Sequence, residues 1–153
     1  MTHYFITGAS AGIGAALATK LNKDKHQVSA VARRADRLAA LQQASDYFCG
    51  QQADVRDADA IAAAVNDSVK TFGPIDVAIL NAGIYTPQDG CQIIPSIYAE
   101  HMDVNYMGVV NGLAAIIPGM LAAGGGQIVI ISSVAGWRGL PKAAAYAPTK
   151  AAL

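Results

Sequence analysis

The sequence has few charged residues, few aromatic residues and almost no cysteine. Only 14% of its 153 residues are charged and 7% are aromatic, and eleven basic side chains balance eleven acidic ones. No run of five or more like charges occurs, so the chain lacks the electrostatic signature of proteins that bind nucleic acid or an anionic membrane. A small molecule is therefore the expected partner, with no nucleic acid and no membrane.

Disulfide and metal chemistry also have little support. Cys49 and Cys91 lie far apart without CxxC spacing, and the three histidines are scattered along the chain. A strand-like segment follows Met1 almost at once, which leaves no room for a signal peptide. These features favour a cytoplasmic protein with reduced cysteines.

Long hydrophobic runs are scarce as well. The longest, YMGVVNGLAAIIPGMLAAGGG, is interrupted by Asn111 and Pro118 and is rich in glycine, which is more typical of a buried helix than of a membrane span. Hydrophobic residues nevertheless make up 53% of the chain. That is enough for the core of one domain over residues 1–153.

Strand-like and helix-like segments alternate along the chain, which predicts an α/β fold with a parallel sheet. The apolar runs VAIL and IVII are typical of strands covered on both faces, and Ile61, Val65 and Val69 recur at helical spacing. The predicted strands are His3–Thr7, Gln27–Ala32, Tyr47–Gln52, Val77–Asn81 and Gln127–Ser132. The predicted helices are Ile13–Lys23, Arg34–Ala44, Ala58–Thr71 and Ser96–Ala123, while the long polar loop Ile84–Pro95 is either a ligand border or a surface crossover.

The segment TGASAGIG, Thr7–Gly14, places three glycines between the first strand and the first helix. Glycines here would let the backbone approach a pyrophosphate, whose charge would meet N–H groups at the helix N-terminus. The spacing differs from G-x-G-x-x-G and from the P-loop. A tight turn is the alternative, but the position after the first strand favours phosphate binding.

Polar or small residues follow the fourth strand, in NAG, and the fifth, in ISSVAG. Ligands of an open parallel sheet bind outside the carboxyl ends of its strands, so Ser133 is expected near a bound nucleotide. The alternative roles are a helix cap for Ser133 and a backbone brace for Asn81.

Tyr146 and Lys150 are separated by one helical turn in the closing segment AAYAPTKAAL. A lysine ammonium at that distance would favour the ionised form of the phenol. Pro148 fits only near the start of a helix, so Tyr146 should lie in or just before the first turn. Taken alone, the pair is better explained as an exposed tyrosine and lysine on a surface helix.

Together, TGASAGIG, NAG, the asparagine of DVNYMG, ISSVAG and YAPTK resemble the short-chain dehydrogenase/reductase family, in the branch whose glycine loop reads TGxxxGxG. The resemblance implies a Rossmann-type, doubly wound parallel sheet in three layers, α/β/α. It also implies a subunit interface on the helix Ser96–Ala123, whose sides are nearly all apolar, and hence a homodimer or homotetramer.

The resemblance further implies a catalytic set of four residues. Tyr146 would exchange a proton with the substrate oxygen, and Lys150 would hold the ribose hydroxyls and lower the pKa of the phenol. Ser133 would bind the substrate carbonyl, and Asn105 would anchor a water on the proton path.

The implied cofactor-binding residues fall into three groups. They are Gly8, Ser10, Gly12, Ile13 and Gly14 in the phosphate loop, Asp54 and Val55 at the adenine, and Asn81, Ala82 and Gly83 beside the ribose, where Tyr146 and Lys150 also bind. Family members usually have asparagine in place of Leu80, and they continue past the Tyr-Lys helix with two further strands. We therefore expect the N-terminal portion of a longer enzyme, truncated after the fifth strand and the start of the catalytic helix.

The end of the second strand favours NADP(H) over NAD(H). NAD sites normally carry Asp or Glu there to bind the ribose 2′-OH, whereas VSAVARR has Ala32 followed by Arg33 and Arg34. A guanidinium can bind a 2′-phosphate through paired, charge-assisted hydrogen bonds. Alternatively, both arginines only solvate the next helix, where Asp36 partly neutralises them.

The expected function is hydride transfer between a nicotinamide and a carbonyl or secondary alcohol. An epimerase or dehydratase on the same scaffold, and a dinucleotide-binding module without catalysis, are the alternatives. The pocket candidates Tyr85, Trp137 and Leu140 are generic apolar side chains and do not identify the substrate.

Overall fold

The computed structural model describes residues 1–42, 45–88 and 90–153, and these residues build one parallel sheet. Its five strands run in the spatial order β3-β2-β1-β4-β5. They are β1 His3–Thr7, β2 Gln27–Ala32, β3 Phe48–Gln52, β4 Val77–Leu80 and β5 Gln127–Ile130.

In the described part of the chain, six α-helices connect and follow the strands. They are α1 Gly12–Lys23, α2 Ala35–Gln42, α3 Ala58–Phe72, α4 Pro95–Met102, α5 Gly108–Ala122 and α6 Tyr146–Ala151. Apolar side chains form two clusters, one with α1 and α2 on one face of the sheet and the other with α3 and α5 on the opposite face. The predicted fold class, a doubly wound α/β/α arrangement of Rossmann type, is confirmed.

Helix α3 illustrates how local sequence sets an element. Asp57 caps its start by accepting the N–H of Ala60 at 2.9 Å, and Ile61 and Val65 are buried against the sheet. Gly73 ends it with φ of 83°, a left-handed value that favours glycine. Val69, the third residue of the predicted apolar stripe, is 39% exposed because it lies towards the edge of the buried face.

The predicted helix Ser96–Ala123 is not a single α-helix. Residues Asp103–Met107 form a π-helical turn that separates α4 from α5. This turn contains Asn105, whose side chain is drawn onto the backbone of Ile84. Such turns are frequent at functional sites, and a hydrophobic pattern does not reveal them.

Two strands end earlier than predicted. β4 stops at Leu80 because the N–H of Asn81 turns to the hydroxyl of Thr7, and β5 stops at Ile130. The carbonyl of Ile131 instead accepts a hydrogen bond from a lysine ammonium. The other described boundaries agree with the prediction to within one residue, and the last two residues of the predicted second helix, 43 and 44, lie outside the described residues.

The IVII run is covered on both faces, but only partly: Ile128 and Ile130 pack against the cluster on one face, and Val129 and Ile131 pack against the cluster on the other. Ile128, Val129 and Ile130 are only half-buried because β5 is an edge strand, with β4 on one side and no further strand among the described residues on the other. The VAIL run of β4 lies between two strands, and its last three residues are buried as expected.

The helical run Pro95–Ala122 is 28 residues long and, by length and composition, apolar enough to cross a membrane. Core helices of soluble proteins have the same properties, so this finding is weak evidence for a span. In the fold, Ile116 and Met120 of this run are part of the hydrophobic core.

Candidate active site

A cleft of about 830 Å³ opens at the carboxyl ends of the strands, where the chain leaves β1 for β2 on one side and β4 lies on the other. Ligands of doubly wound sheets bind at this kind of position. The lining residues come from the loops after β1, β2, β3 and β4. They are Gly8, Ser10–Ile13, Val31–Arg34, Ala53–Val55, Asn81–Ile84 and Val104.

The glycine loop is packed too closely at Gly8 and Gly14 to accept side chains there. Gly8 has φ of 71°, and a Cβ on it would lie 2.7 Å from the Cα of Ala82. A Cβ on Gly14 would lie 2.5 Å from the Gly8 carbonyl and from the Asn81 amide. No side-chain hydrogen bond caps the start of α1 at Ala11, so the N–H groups of its first turn remain for a ligand. The loop therefore fits a pyrophosphate group.

Thr7 holds the end of β4 against the glycine loop. Its hydroxyl accepts the N–H groups of Asn81 at 3.0 Å and Ala82 at 3.1 Å. The Asn81 side chain returns a bond from Nδ2 to the Thr7 carbonyl at 3.0 Å. Asn81 is thus a backbone brace, one of the alternatives considered for it, and Thr7 is a structural residue of the site that the motif reading missed.

The two arginines after β2 both line the cleft, but in different ways. Arg34 donates from Nε and Nη2 to the Ser10 hydroxyl, at 3.2 and 3.1 Å. This guanidinium therefore lies on the glycine loop itself. The Arg33 backbone carbonyl accepts a bond from Gln52, while its side chain is exposed at the rim.

Asp54 forms a two-pronged ion pair that the sequence reading missed. Arg56 donates from Nε to Oδ1 at 3.1 Å and from Nη2 to Oδ2 at 2.6 Å. This hydrogen bonding holds the pKa of the Asp54 carboxyl below its ordinary range, against the smaller opposing effect of burial. The next residue, Val55, is fixed from the other side, because Asn111 donates to its carbonyl at 2.9 Å.

Tyr146 and Lys150 lie on the short helix α6, as the position of Pro148 predicted. Lys150 is buried, and its Nζ donates to the Ile131 carbonyl at 2.7 Å and lies 5.8 Å from the centre of the Tyr146 ring. A Cβ on Gly83 would be 3.7 Å from this Nζ, so the ammonium borders the cleft. Burial lowers the pKa of the Lys150 ammonium from its ordinary value of 10.5.

Asn105 links the loop after β4 to α6. Its Oδ1 accepts the N–H of Ile84 at 2.7 Å, and its Nδ2 donates to the Ile84 carbonyl at 3.0 Å. The same Nδ2 donates to the hydroxyl of Thr149 at 3.1 Å, which donates to the Tyr146 carbonyl at 2.7 Å. The fully buried pair Asn105 and Thr149 thus fixes the turn that carries Tyr146.

Ser133 caps a 3₁₀ turn, Val134–Gly136, by accepting the N–H of Ala135 at 3.2 Å. The cap uses an oxygen lone pair, which leaves the hydroxyl hydrogen for another partner. The neighbouring Ser132 donates to the Lys150 carbonyl at 2.9 Å and ties α6 to the end of β5.

Of the three apolar pocket candidates, the structure brings one to the Tyr146 ring. Tyr85 meets that ring edge-on, with 5.2 Å between ring centres. Trp137 is 91% exposed, and Leu140 is also exposed. The described residues contain no group of three side chains that could hold a metal ion.

Comparison with known proteins agrees with this geometry. The profile of the family described as short chain dehydrogenase matches residues 2–153. The chain is 36% identical over 156 residues to 3-dehydrosphinganine reductase TSC10B of Arabidopsis thaliana, a match that covers 97% of this chain and 46% of that enzyme. Four curated relatives are spanned by the chain over only 12% to 60% of their own length.

Solved structures show the same fold. A short-chain dehydrogenase from Streptomyces avermitilis matches with a TM-score of 0.92 at 29% identity, covering 99% of this chain and 56% of that one. ElxO, solved with NADP bound, matches with a TM-score of 0.91 at 27% identity, covering 99% of this chain and 63% of that one.

The profile extends over nearly the whole chain, and the strand order and glycine loop match what the motifs imply. The resemblance inferred from five short motifs is therefore confirmed. The chain belongs to the short-chain dehydrogenase family.

Proposed function

We propose that the protein is an NADP(H)-dependent oxidoreductase that moves a hydride between the nicotinamide and a carbonyl or secondary alcohol. The observation that carries this proposal is the Tyr146–Lys150 pair, held beside the glycine-loop cleft by Asn105 and Thr149. Membership of a family that includes named dehydrogenases and reductases supports the same chemistry.

Tyr146 is the proposed acid in reduction and the proposed base in oxidation. A free phenol titrates at about pH 10, so a phenolate near neutral pH needs about 4 kcal/mol of differential stabilisation. The Lys150 ammonium, 5.8 Å from the ring centre, supplies part of this through space. When bound, the nicotinamide supplies or accepts the hydride.

Ser133 and Asn105 have supporting roles in this proposal. Ser133 binds the substrate oxygen with its hydroxyl hydrogen, because its cap on Ala135 uses only a lone pair. Both amide hydrogens of Asn105 are donated in hydrogen bonds, one to the Ile84 carbonyl and one to the Thr149 hydroxyl. Any water that it anchors must therefore bind the second lone pair of Oδ1 or the backbone carbonyl.

The preference for NADP(H) rests on the rim of the cleft after β2. No acid stands at Ala32, and the Arg34 guanidinium already lies against Ser10 of the phosphate loop. A 2′-phosphate there would give the guanidinium an anionic acceptor in place of the neutral Ser10 hydroxyl, and therefore stronger hydrogen bonds. Arg33 adds a second positive charge at the same rim.

The test uses the complete natural protein that contains this chain. Binding is measured by NADPH fluorescence, and turnover by loss of NADPH absorbance with acetophenone, cyclohexanone and ethyl acetoacetate. We expect saturable binding of NADPH and its consumption with at least one ketone, and Tyr146→Phe should lower that consumption by at least about 10²-fold without loss of binding. Binding without turnover on any ketone, or on the corresponding alcohols with NADP⁺, would favour a non-catalytic module and contradict the proposal.

A further inference from the structure

His101 is a fully buried histidine of α4 that none of the motifs includes. Its Nδ1 lies 2.7 Å from the carbonyl oxygen of Ile97, one turn earlier in the helix. Its Nε2 lies 3.0 Å from the backbone nitrogen of Thr86. A carbonyl can only accept and a backbone N–H can only donate, so the ring carries its hydrogen on Nδ1 and accepts at Nε2.

His101 and Asn105 act together on the loop after β4. They are four positions apart on one continuous helical run, and they bind the N–H groups of Thr86 and Ile84, which are two positions apart. The two side chains take the place that a neighbouring strand would occupy. The N–H groups of alternate residues therefore point towards the helix, as in an extended strand, and the Tyr85 side chain leaves the backbone on the opposite face from those of Ile84 and Thr86.

That orientation places Tyr85 against the proposed acid. Its ring meets the Tyr146 ring edge-on, with centres 5.2 Å apart and planes at 65°. Such edge contacts between aromatic rings are favourable and directional. Tyr85 is 51% exposed, and its ring is held by this contact, by the loop backbone and by its hydroxyl, which donates to the Lys142 carbonyl at 3.4 Å.

We propose that His101 is a positioning residue for the reaction: by accepting the N–H of Thr86, it holds Tyr85 against Tyr146 and so sets the direction of the phenol towards the substrate. This inference rests on the proposed oxidoreductase function. His101, Thr86 and Tyr85 are not among the residues that line the glycine-loop cleft, so the expected effect is on the ketone and not on cofactor binding.

The first experiment changes the exposed partner, which does not threaten the fold. Tyr85→Ala in the complete protein is assayed with NADPH and with the ketone that the parent reduces fastest. We expect kcat/KM for the ketone to fall by about 10- to 100-fold, the scale of a small misplacement of a reacting group, while the Kd for NADPH stays unchanged. Parent-like turnover of Tyr85→Ala would overturn the inference.

The second experiment changes the histidine. His101→Phe keeps the ring but loses the acceptor, and His101→Gln keeps an acceptor at a similar reach. We expect the phenylalanine variant to show the same loss as Tyr85→Ala and the glutamine variant to recover most of it. If His101 acts through Tyr85, the double variant His101→Phe with Tyr85→Ala should have the same kcat/KM for the ketone as Tyr85→Ala alone. Additive losses, or no rescue by glutamine, would contradict the inference.

His3 is the matched control. It is also a buried histidine bonded at both ring nitrogens, but it begins β1 at the opposite end of the sheet, with Ser29 and Gly73 as partners. His3→Phe should lower the melting temperature without changing kcat/KM for the ketone. A parent with no turnover on any ketone or alcohol would contradict the proposed function, whereas equal losses in His3→Phe and His101→Phe would contradict only the positioning role.

Discussion

The Nζ atom of Lys150 lies 5.8 Å from the centre of the Tyr146 ring and is tied at 2.7 Å to the carbonyl of Ile131. Its charge can therefore act on the phenol through space, while its position is set by the end of β5 as well as by its own helix. The following predictions concern the complete natural protein.

Tyr146→Phe keeps the ring and its contact with Tyr85 but removes the hydroxyl. We expect the Kd for NADPH to be unchanged and ketone turnover to fall by at least about 10²-fold, the usual contribution of a general acid. Tyr47→Phe, at the far end of the sheet just before β3, is the control and should behave as the parent. Retained activity in Tyr146→Phe would remove this residue from the mechanism.

Ser133→Ala should reduce kcat by about 10²-fold, because it removes a hydrogen-bond donor to the developing oxyanion. Ser45→Ala is a closely matched control, since the Ser45 hydroxyl accepts a backbone N–H two residues later, as that of Ser133 does. Equal small effects of both substitutions on kcat would show that Ser133 is only a turn former.

The cofactor preference should reverse with two substitutions. The parent is expected to have a higher kcat/KM for NADPH than for NADH, and Ala32→Asp with Arg33→Ala should move the ratio towards NADH. Arg34→Ala should weaken NADPH binding while leaving NADH nearly unaffected, since NADH lacks the 2′-phosphate that the guanidinium beside Ser10 is proposed to bind. Equal kcat/KM for both cofactors in the parent would show that the VARR segment does not select for the 2′-phosphate.

Burial of Lys150 should lower the free energy of unfolding at neutral pH. Burial lowers the pKa of Lys150 in the folded state below 10.5, so the unfolded chain binds this proton more tightly. The free energy of unfolding then rises with pH between the lowered pKa of the folded state and 10.5. Below the folded-state pKa, the destabilisation caused by the buried charge is fully present. Lys150→Met should be inactive, yet unfold at higher urea than the parent at pH 7, with a difference that narrows towards pH 10.5. A difference that is constant with pH would contradict this.

The outer face of α5 should pair with a second subunit. Ile117 and Leu121 are exposed there, with Leu121 at 74%, although the opposite face is buried in the core. Size-exclusion chromatography with light scattering should give a dimer or tetramer, and Leu121→Glu should shift it towards monomer. A clean monomer of the parent at micromolar concentration would contradict the prediction.

Sequence patterns predicted the fold more completely than the contacts of the site. Strand and helix periodicity, together with glycine and proline at the ends, place all five strands and every long helix of the sheet layers. They do not predict the π-helical turn at Asn105, because its cause is a tertiary bond to Ile84, far away in sequence.

The same limit applies to the residues that position the site. His101 and Arg56 belong to no motif, and each acts on a neighbour through a geometry that only the folded backbone defines. Thr7 is present in the quoted glycine segment, but its bonds to the end of β4 cannot be read from it. Motifs identify the residues that contact ligands. The residues that hold those ligand-binding residues in place are determined by tertiary packing.

The bond from Asn81 to the hydroxyl of Thr7 joins two residues that are 74 positions apart. During synthesis the glycine loop is therefore made well before Asn81, its supporting partner. Contacts of such long sequence separation form late, because the entropy of closing the loop must be overcome first. A nascent chain that ends before Asn81 would therefore contain the whole glycine loop and still not bind nucleotide. Binding of the cofactor is then a sign that β1 and β4 have paired.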